Sequence, residues 1–132
     1  MSKPILGIIG GGQLGSMLAA AANKLDIKTV IFCDDKDAPA QTFSNDFIHG
    51  EYNDQNKINE FTNKVDVITY EFENIPYETL NEINKIKPVL PKPSVNRIIQ
   101  HRIAEKDFIN KLNIRTTRYA SIMKKSEIDS LQ

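Results

Sequence analysis

Two short stretches hold residue types whose spacing could do chemistry. The first is GGGQLG, Gly10 to Gly15, in which Gly10-x-Gly12-x-x-Gly15 has the spacing of a dinucleotide-binding turn. Glycines let a ligand oxygen approach the backbone closely, and a helix that follows points unpaired N–H groups into the same space. The chemistry this suits is recognition of an anion, a phosphate above all. A tight strand-to-helix turn without any ligand is the plain alternative. The second stretch is ITYEFENIP, with Glu71 and Glu73 two residues apart. In an extended segment such residues share one face. Carboxylates held together repel unless they meet a cation, a donor or a proton. The pair is a poor partner for phosphate and a good one for amines, hydroxyls or a metal. The plain alternative is that Glu73-Asn74 makes an ordinary turn before Pro76.

Other charged residues carry less. Asp34 lies 19 residues after Gly15, where a nicotinamide-dinucleotide module places its ribose-binding acid. For a charged run in a loop, Asp34, Asp35 and Asp37 read better as the solvated end of a strand. Arg97, His101, Arg102 and Lys106 fall along one helical stretch. Arg102 and Lys106, four apart, share a face that suits a polyphosphate or simply water, and on the residues alone the solvated face is the better reading. His101 has no metal-ligand spacing to His49, so no metal is assigned. No Ser-His-Asp or Cys-His arrangement and no GxxxxGK[ST] loop is present.

Bulk properties narrow the classes. A chain of 132 residues suits one domain, or one domain and a piece of another. Lys and Arg total 17, as do Asp and Glu, so nothing in the charge calls for nucleic acid or an anionic membrane. The single cysteine, Cys33, rules out an intrachain disulfide. It fits a reducing cytoplasm, as a packed thiol rather than a nucleophile. No stretch is apolar enough to cross a bilayer, and MSKPILGIIGGG lacks the apolar length of a secretory signal.

These residues need a scaffold. Pro4–Ile9, Thr29–Cys33, Phe47–His49 and Val65–Tyr70 read as strands. Gln13–Leu25, Asn53–Asn63 and Tyr77–Ile86 read as helices. Leu14, Met17, Leu18, Ala21 and Leu25 mark the apolar stripe of the first helix. Ser94 is the expected N-cap of a helix from Val95 to about Ala104, followed by Glu105–Leu112, and Ser126–Leu131 starts a last helical piece. Strands alternating with helices imply an α/β fold, a parallel sheet with helices on both faces. Ligands then bind beyond the carboxyl ends of the strands, where the glycine turn, Asp34 and the glutamates fall.

Taken in order, GGGQLGSML, DDKDAPA, TYEFENIP and HRIAEKDFINKLNIRTTRY resemble the N-terminal part of the N5-carboxyaminoimidazole ribonucleotide synthetase family, the ATPase subunit of phosphoribosylaminoimidazole carboxylase, in the ATP-grasp superfamily. The resemblance implies a Rossmann-like pre-ATP-grasp domain over 1–97, then linker helices and the start of an ATP-grasp lid domain over 98–132. It implies de novo purine biosynthesis: a ligase carboxylating 5-aminoimidazole ribonucleotide with bicarbonate, using ATP and Mg²⁺, through carboxyphosphate. Residue by residue, Gly12, Gln13 and Leu14 match the place that meets the ribonucleotide phosphate, Glu71 the place that meets the substrate amine, and Glu73 a supporting position. Arg102 and Lys106 match ATP contacts in a pattern usually written Asp-Arg-x-x-x-Lys, with His101 here replacing the aspartate. The lid loop, further ATP-gripping lysines and Mg²⁺ ligands of the family fall after residue 132, so the isolated chain is expected to be inactive. A homodimer, or a companion chain carrying the missing domains, is implied as well. The nicotinamide-binding module stands as the alternative, and a folded remnant without a ligand as a third reading.

Overall fold

The computed structural model describes residues 3–131. Met1, Ser2 and Gln132, the outermost residues of the expected domain ranges, lie outside them. The chain divides into two compact units, Met1–Arg97 and Ile98–Gln132.

The first unit is built on four short parallel strands, β1 (Leu6–Ile9), β2 (Thr29–Cys33), β3 (Asp46–His49) and β4 (Val67–Tyr70), in the order β3-β2-β1-β4. Ile8 pairs with Ile31 and Thr69, and Ile9 with Phe32 and Tyr70. Alternation of side chains across the sheet divides the core in two. Ile8, Ile31 and Cys33 pack with Ala19, Ala38 and Ala40 on one face. Ile9, Val30, Phe32, Ile48 and Ile68 pack with Phe61, Leu80 and Ile83 on the other. Helix α1 (Gln13–Lys24) and the 3₁₀ turn Pro39–Phe43 cover the first face. Helices α2 (Gln55–Thr62) and α3 (Tyr77–Ile86) cover the second. This is the expected Rossmann-like α/β architecture, with both faces covered.

Helix α1 differs from expectation in its orientation. Gly15, Ser16, Ala19 and Ala22 are its buried residues, whereas Leu14, Met17, Leu18 and Leu25 are exposed. The small residues let the helix backbone lie close to the sheet, so the larger apolar stripe points outward. Helix α2 is capped by Asp54, whose carboxylate accepts from the amides of Asn56 and Lys57.

After α3 the chain returns along β4. Ile68 N–H donates to Pro88 O at 2.9 Å and Leu90 N–H donates to Ile68 O at 2.8 Å, forming a parallel bridge at Val89. The expected helix 95–104 is interrupted. Helix α4 is Pro93–Ile99 and a separate α5 is Arg102–Lys111. Ser94 lies inside α4 rather than capping it, because Pro93 takes the first helical position, which proline favours. The cap of α5 is His101, whose Nδ1 accepts from Ala104 N–H at 3.3 Å.

In the second unit, α5 carries a ladder of polar contacts to the extended residues that follow it. Asn110 Nδ2 donates to Thr116 Oγ1 at 3.0 Å, and the Tyr119 hydroxyl bonds the Asp107 carboxylate. A 3₁₀ segment spans Lys125–Leu131.

Candidate functional site

Helix α1 begins with a deficit. Its N-cap, Gly12, has no side chain to cap with, and no acidic residue stands in the first turn. The first amides of a helix have no partner inside it, and they sit at the positive end of its dipole. An acceptor must come from elsewhere, and Glu71 supplies it from the end of β4. Its Oε1 accepts from Gly12 N–H at 2.7 Å, and its Oε2 from Gly15 N–H at 2.5 Å. The backbone of Glu71 is itself tied to the end of β1, through its N–H to Ile9 O at 3.1 Å.

The glycines make room for this carboxylate. Gly10 has φ +98°, and a Cβ there would strike Glu71 Cγ. A Cβ on Gly12 would come within 2.9 Å of Glu71 Oε1, and one on Gly15 within 2.8 Å of Gly10 O. Glycine is therefore needed for an acid belonging to the protein as well as for any ligand. The amides of Gln13 and Leu14, between those two bonds, have no acceptor among the described residues. Both residues are exposed. The turn thus holds one fixed carboxylate beside two free donors. Each oxygen of Glu71 takes one amide and keeps acceptor capacity for a further donor such as an amine.

Glu73 is exposed on the turn that follows, because β4 stops at Tyr70. The extended geometry that would place both glutamates on one face is absent. Glu71 meets the glycine turn through the bonds described. Beside it is a hollow of about 200 Å³, whose lining includes Gly11, Gly12, Cys33, Asp34, Tyr52 and Glu71. Burial pushes the Cys33 thiol up, against the smaller opposing effects of the Asp35 amide and the Tyr52 hydroxyl. Burial, with the nearby Cys33 and Asp34, pushes the Tyr52 hydroxyl far up as well. Both groups stay neutral at ordinary pH and act as packing rather than as acid or base. Cys33 and Tyr52 carried no site signal in the sequence, since their contact is made across 19 residues.

In the second unit, Arg102 opens α5 and pairs with Glu105 at 2.5 Å. Lys106, one turn later, donates to Thr117 Oγ1 at 3.0 Å and sits 5.4 Å from the centre of the Tyr119 ring. The two cations share a helix but are held by different partners. Among the described residues no group of three His, Cys, Asp or Glu side chains could hold a metal ion, and no helix is long and apolar enough to cross a membrane.

Comparison with known proteins identifies relatives of the chain. The chain is 39% identical over 125 residues to the bifunctional purine synthesis protein purC/E of Dictyostelium discoideum, covering 95% of this chain and 12% of that protein. It is 32% identical over 123 residues to the N5-carboxyaminoimidazole ribonucleotide synthase of Staphylococcus epidermidis, covering 93% of this chain and 33% of that protein. Among solved structures, the N5-carboxyaminoimidazole synthetase of Staphylococcus aureus complexed with ADP superposes with a TM-score of 0.87 at 32% identity. That match covers 96% of this chain and 34% of the other. The chain therefore spans about a third of the length of these relatives, or less. A model of the ribonucleotide synthetase preATP-grasp domain matches residues 1–100, and the chain belongs to that family.

Proposed function

We propose that the chain forms the ribonucleotide-binding portion of an ATP-dependent carbon–nitrogen ligase. Its reaction joins bicarbonate to 5-aminoimidazole ribonucleotide, giving N5-carboxyaminoimidazole ribonucleotide in de novo purine biosynthesis. The observation that carries this reading is the divided anion site at α1, where Glu71 claims the amides of Gly12 and Gly15 and leaves those of Gln13 and Leu14 open. In this reading the ribonucleotide phosphate takes the two open amides, where the helix dipole favours an anion. Glu71, held rigid by two short bonds, offers its remaining acceptor capacity to the substrate amine. Glu73, on the exposed turn beside it, supports the same end of the substrate.

The names of the relatives point the same way. One solved relative, the N5-carboxyaminoimidazole synthase of Aspergillus clavatus, is a complex with ADP and 5-aminoimidazole ribonucleotide, at 25% identity and a TM-score of 0.85, covering 98% of this chain and 35% of the other. For ATP, the contacts proposed on this chain are Arg102 and Lys106. ATP acts with Mg²⁺ in such ligases, but the described residues offer no cluster to hold the metal, so no metal role is given to them. We place the protein in the cytoplasm, where a free thiol such as Cys33 is kept reduced.

The nicotinamide alternative has less behind it. A dinucleotide pyrophosphate would lie against the amides that Glu71 already holds. Titration of the ¹⁵N-labelled chain decides between them. 5-Aminoimidazole ribonucleotide is expected to shift the amide signals of Gln13 and Leu14 saturably, and NAD is not. Unmoved Gln13 and Leu14 signals at millimolar ribonucleotide would remove the proposal.

A further inference from the structure

We infer that Asn96 is a positioning residue for the ribonucleotide site, acting through the turn that carries Glu71. The inference rests on the function proposed above and extends it to a residue outside the glycine turn.

Asn96 is fully buried, at 0% exposure. Its Nδ2 donates to Ile75 O at 3.0 Å, while its Oδ1 is buried without a hydrogen-bond partner among the described residues. A leucine of similar volume would leave no such orphan and would be cheaper to bury. The position makes sense of the cost. Residues 71–76 form the connection between β4 and α3, and Pro76 opens α3 without any side-chain cap. The front of this turn is fixed by Glu71 N–H on Ile9 O and by the Glu71 carboxylate on Gly12 and Gly15. Its back is fixed by Asn96 on the carbonyl of Ile75, itself fully buried.

Helix α4 can serve as this anchor because the chain before it is tied to the sheet through the Val89 bridge to Ile68. The neighbouring Arg97 adds a second hold, its guanidinium lying 5.0 Å from the centre of the Tyr77 ring at the start of α3. The turn is thus clamped front and back, and the back clamp is a side chain 25 residues beyond Glu71 in the sequence. Loosening it frees Glu71 to wander from the glycine amides. The two open donors at Gln13 and Leu14 then lose their fixed neighbour.

The test uses the full chain carrying Asn96→Leu. Amide shifts of Gly12 and Gly15 are recorded without ligand, and affinity for 5-aminoimidazole ribonucleotide is then measured by titration. The expected result is movement of both amide signals toward weaker hydrogen bonding, and ribonucleotide affinity reduced about three- to tenfold. In a Glu71→Ala background, Asn96→Leu should lower affinity no further, since a residue acting through Glu71 has nothing left to position. A merely structural role predicts additive losses. Unmoved Gly12 and Gly15 signals, or equal losses with and without Glu71, overturn the inference. If Asn96→Leu does not fold, Asn96→Ser, too short to reach Ile75 O, takes its place with the same readouts. Failure of the unaltered chain to bind the ribonucleotide would sink the proposed function, and the positioning role with it. The ligand-free amide shifts would still show separately whether Asn96 holds Glu71.

Discussion

The carboxylate of Glu71 lies 2.5 Å from the amide nitrogen of Gly15, across 56 residues of sequence. The first helix of the fold is therefore capped by the end of its last strand, and helix and sheet edge are locked by the group that the proposed function assigns to the substrate amine. Removing that carboxylate should be felt in stability as well as in binding. Glu71→Ala leaves two part-buried amides without their charged acceptor and is expected to cost about 2–3 kcal/mol. Glu71→Gln, which keeps one carbonyl oxygen, should cost roughly half of that. Urea unfolding measures both, and a loss under about 0.5 kcal/mol for the alanine variant would contradict the capping role.

Gly10 offers a second test, through the backbone. Its φ of +98° disfavours any side chain, and an added Cβ would strike Glu71. Gly10→Ala is expected to destabilise by about 1–3 kcal/mol. Gly50 is a control. A Cβ there would come within 2.6 Å of Lys57 Cγ, but the φ of Gly50 lies outside the left-handed region, so the clash carries the whole cost. Gly50→Ala should cost less than half as much in the same thermal unfolding series.

The two faces of α1 predict opposite responses. Met17 is 61% exposed and Ala19 is 0% exposed. Met17→Gln should change stability by no more than about 0.5 kcal/mol. Ala19→Leu forces bulk against Ile8 and Ile31 and should cost about 1–3 kcal/mol. The reverse order in chemical denaturation would restore the outward stripe to the core.

That face also shows what the sequence could and could not say. The four strands and α1 to α3 were legible because apolar runs, alternation and glycine or proline stops report local backbone preference directly. The orientation of α1 was not legible. Leucine and methionine at helical spacing speak loudly, whereas Gly15, Ala19 and Ala22 speak only through how closely the sheet approaches. Gly12 and Glu71 stood out by residue type, and Gln13 and Leu14 through the family resemblance, but the bonds from Glu71 to Gly12 and Gly15 are tertiary and left no local trace. One clue was available: a helix opening on glycine, with no acid in its first turn, must find its acceptor elsewhere. The break between α4 and α5 was missed because Ser94 is a better cap by type than His101, and proline at the first helical position moved the boundary.

Alkaline pH should weaken the fold. Burial raises the Cys33 thiol above 9.0 and the Tyr52 and Tyr70 hydroxyls above 10.0, their ordinary values. A raised pKa in the folded state means the unfolded chain ionises first. The stabilising effect of each group is thus complete below its unfolded value and is lost as pH rises through its folded one. Thermal unfolding temperature should hold between pH 7 and about 8.5 and fall from about pH 9 upward. Over the lower range Cys33 should react with iodoacetamide far more slowly in the folded chain than in urea. Equal rates would show that the thiol is not shielded.

The strand order leaves β3 on an outer border of the sheet. That border is only four residues long. It begins at Asp46, which Lys64 holds at 2.7 Å, and ends at the exposed His49. On the opposite border, β4 is already bridged by Val89. A second chain approaching to extend the sheet would have to bury an ion pair on one side or displace a paired residue on the other. The same ordering that lines up the strand ends at the proposed site also guards the protein against self-association into stacked ribbons.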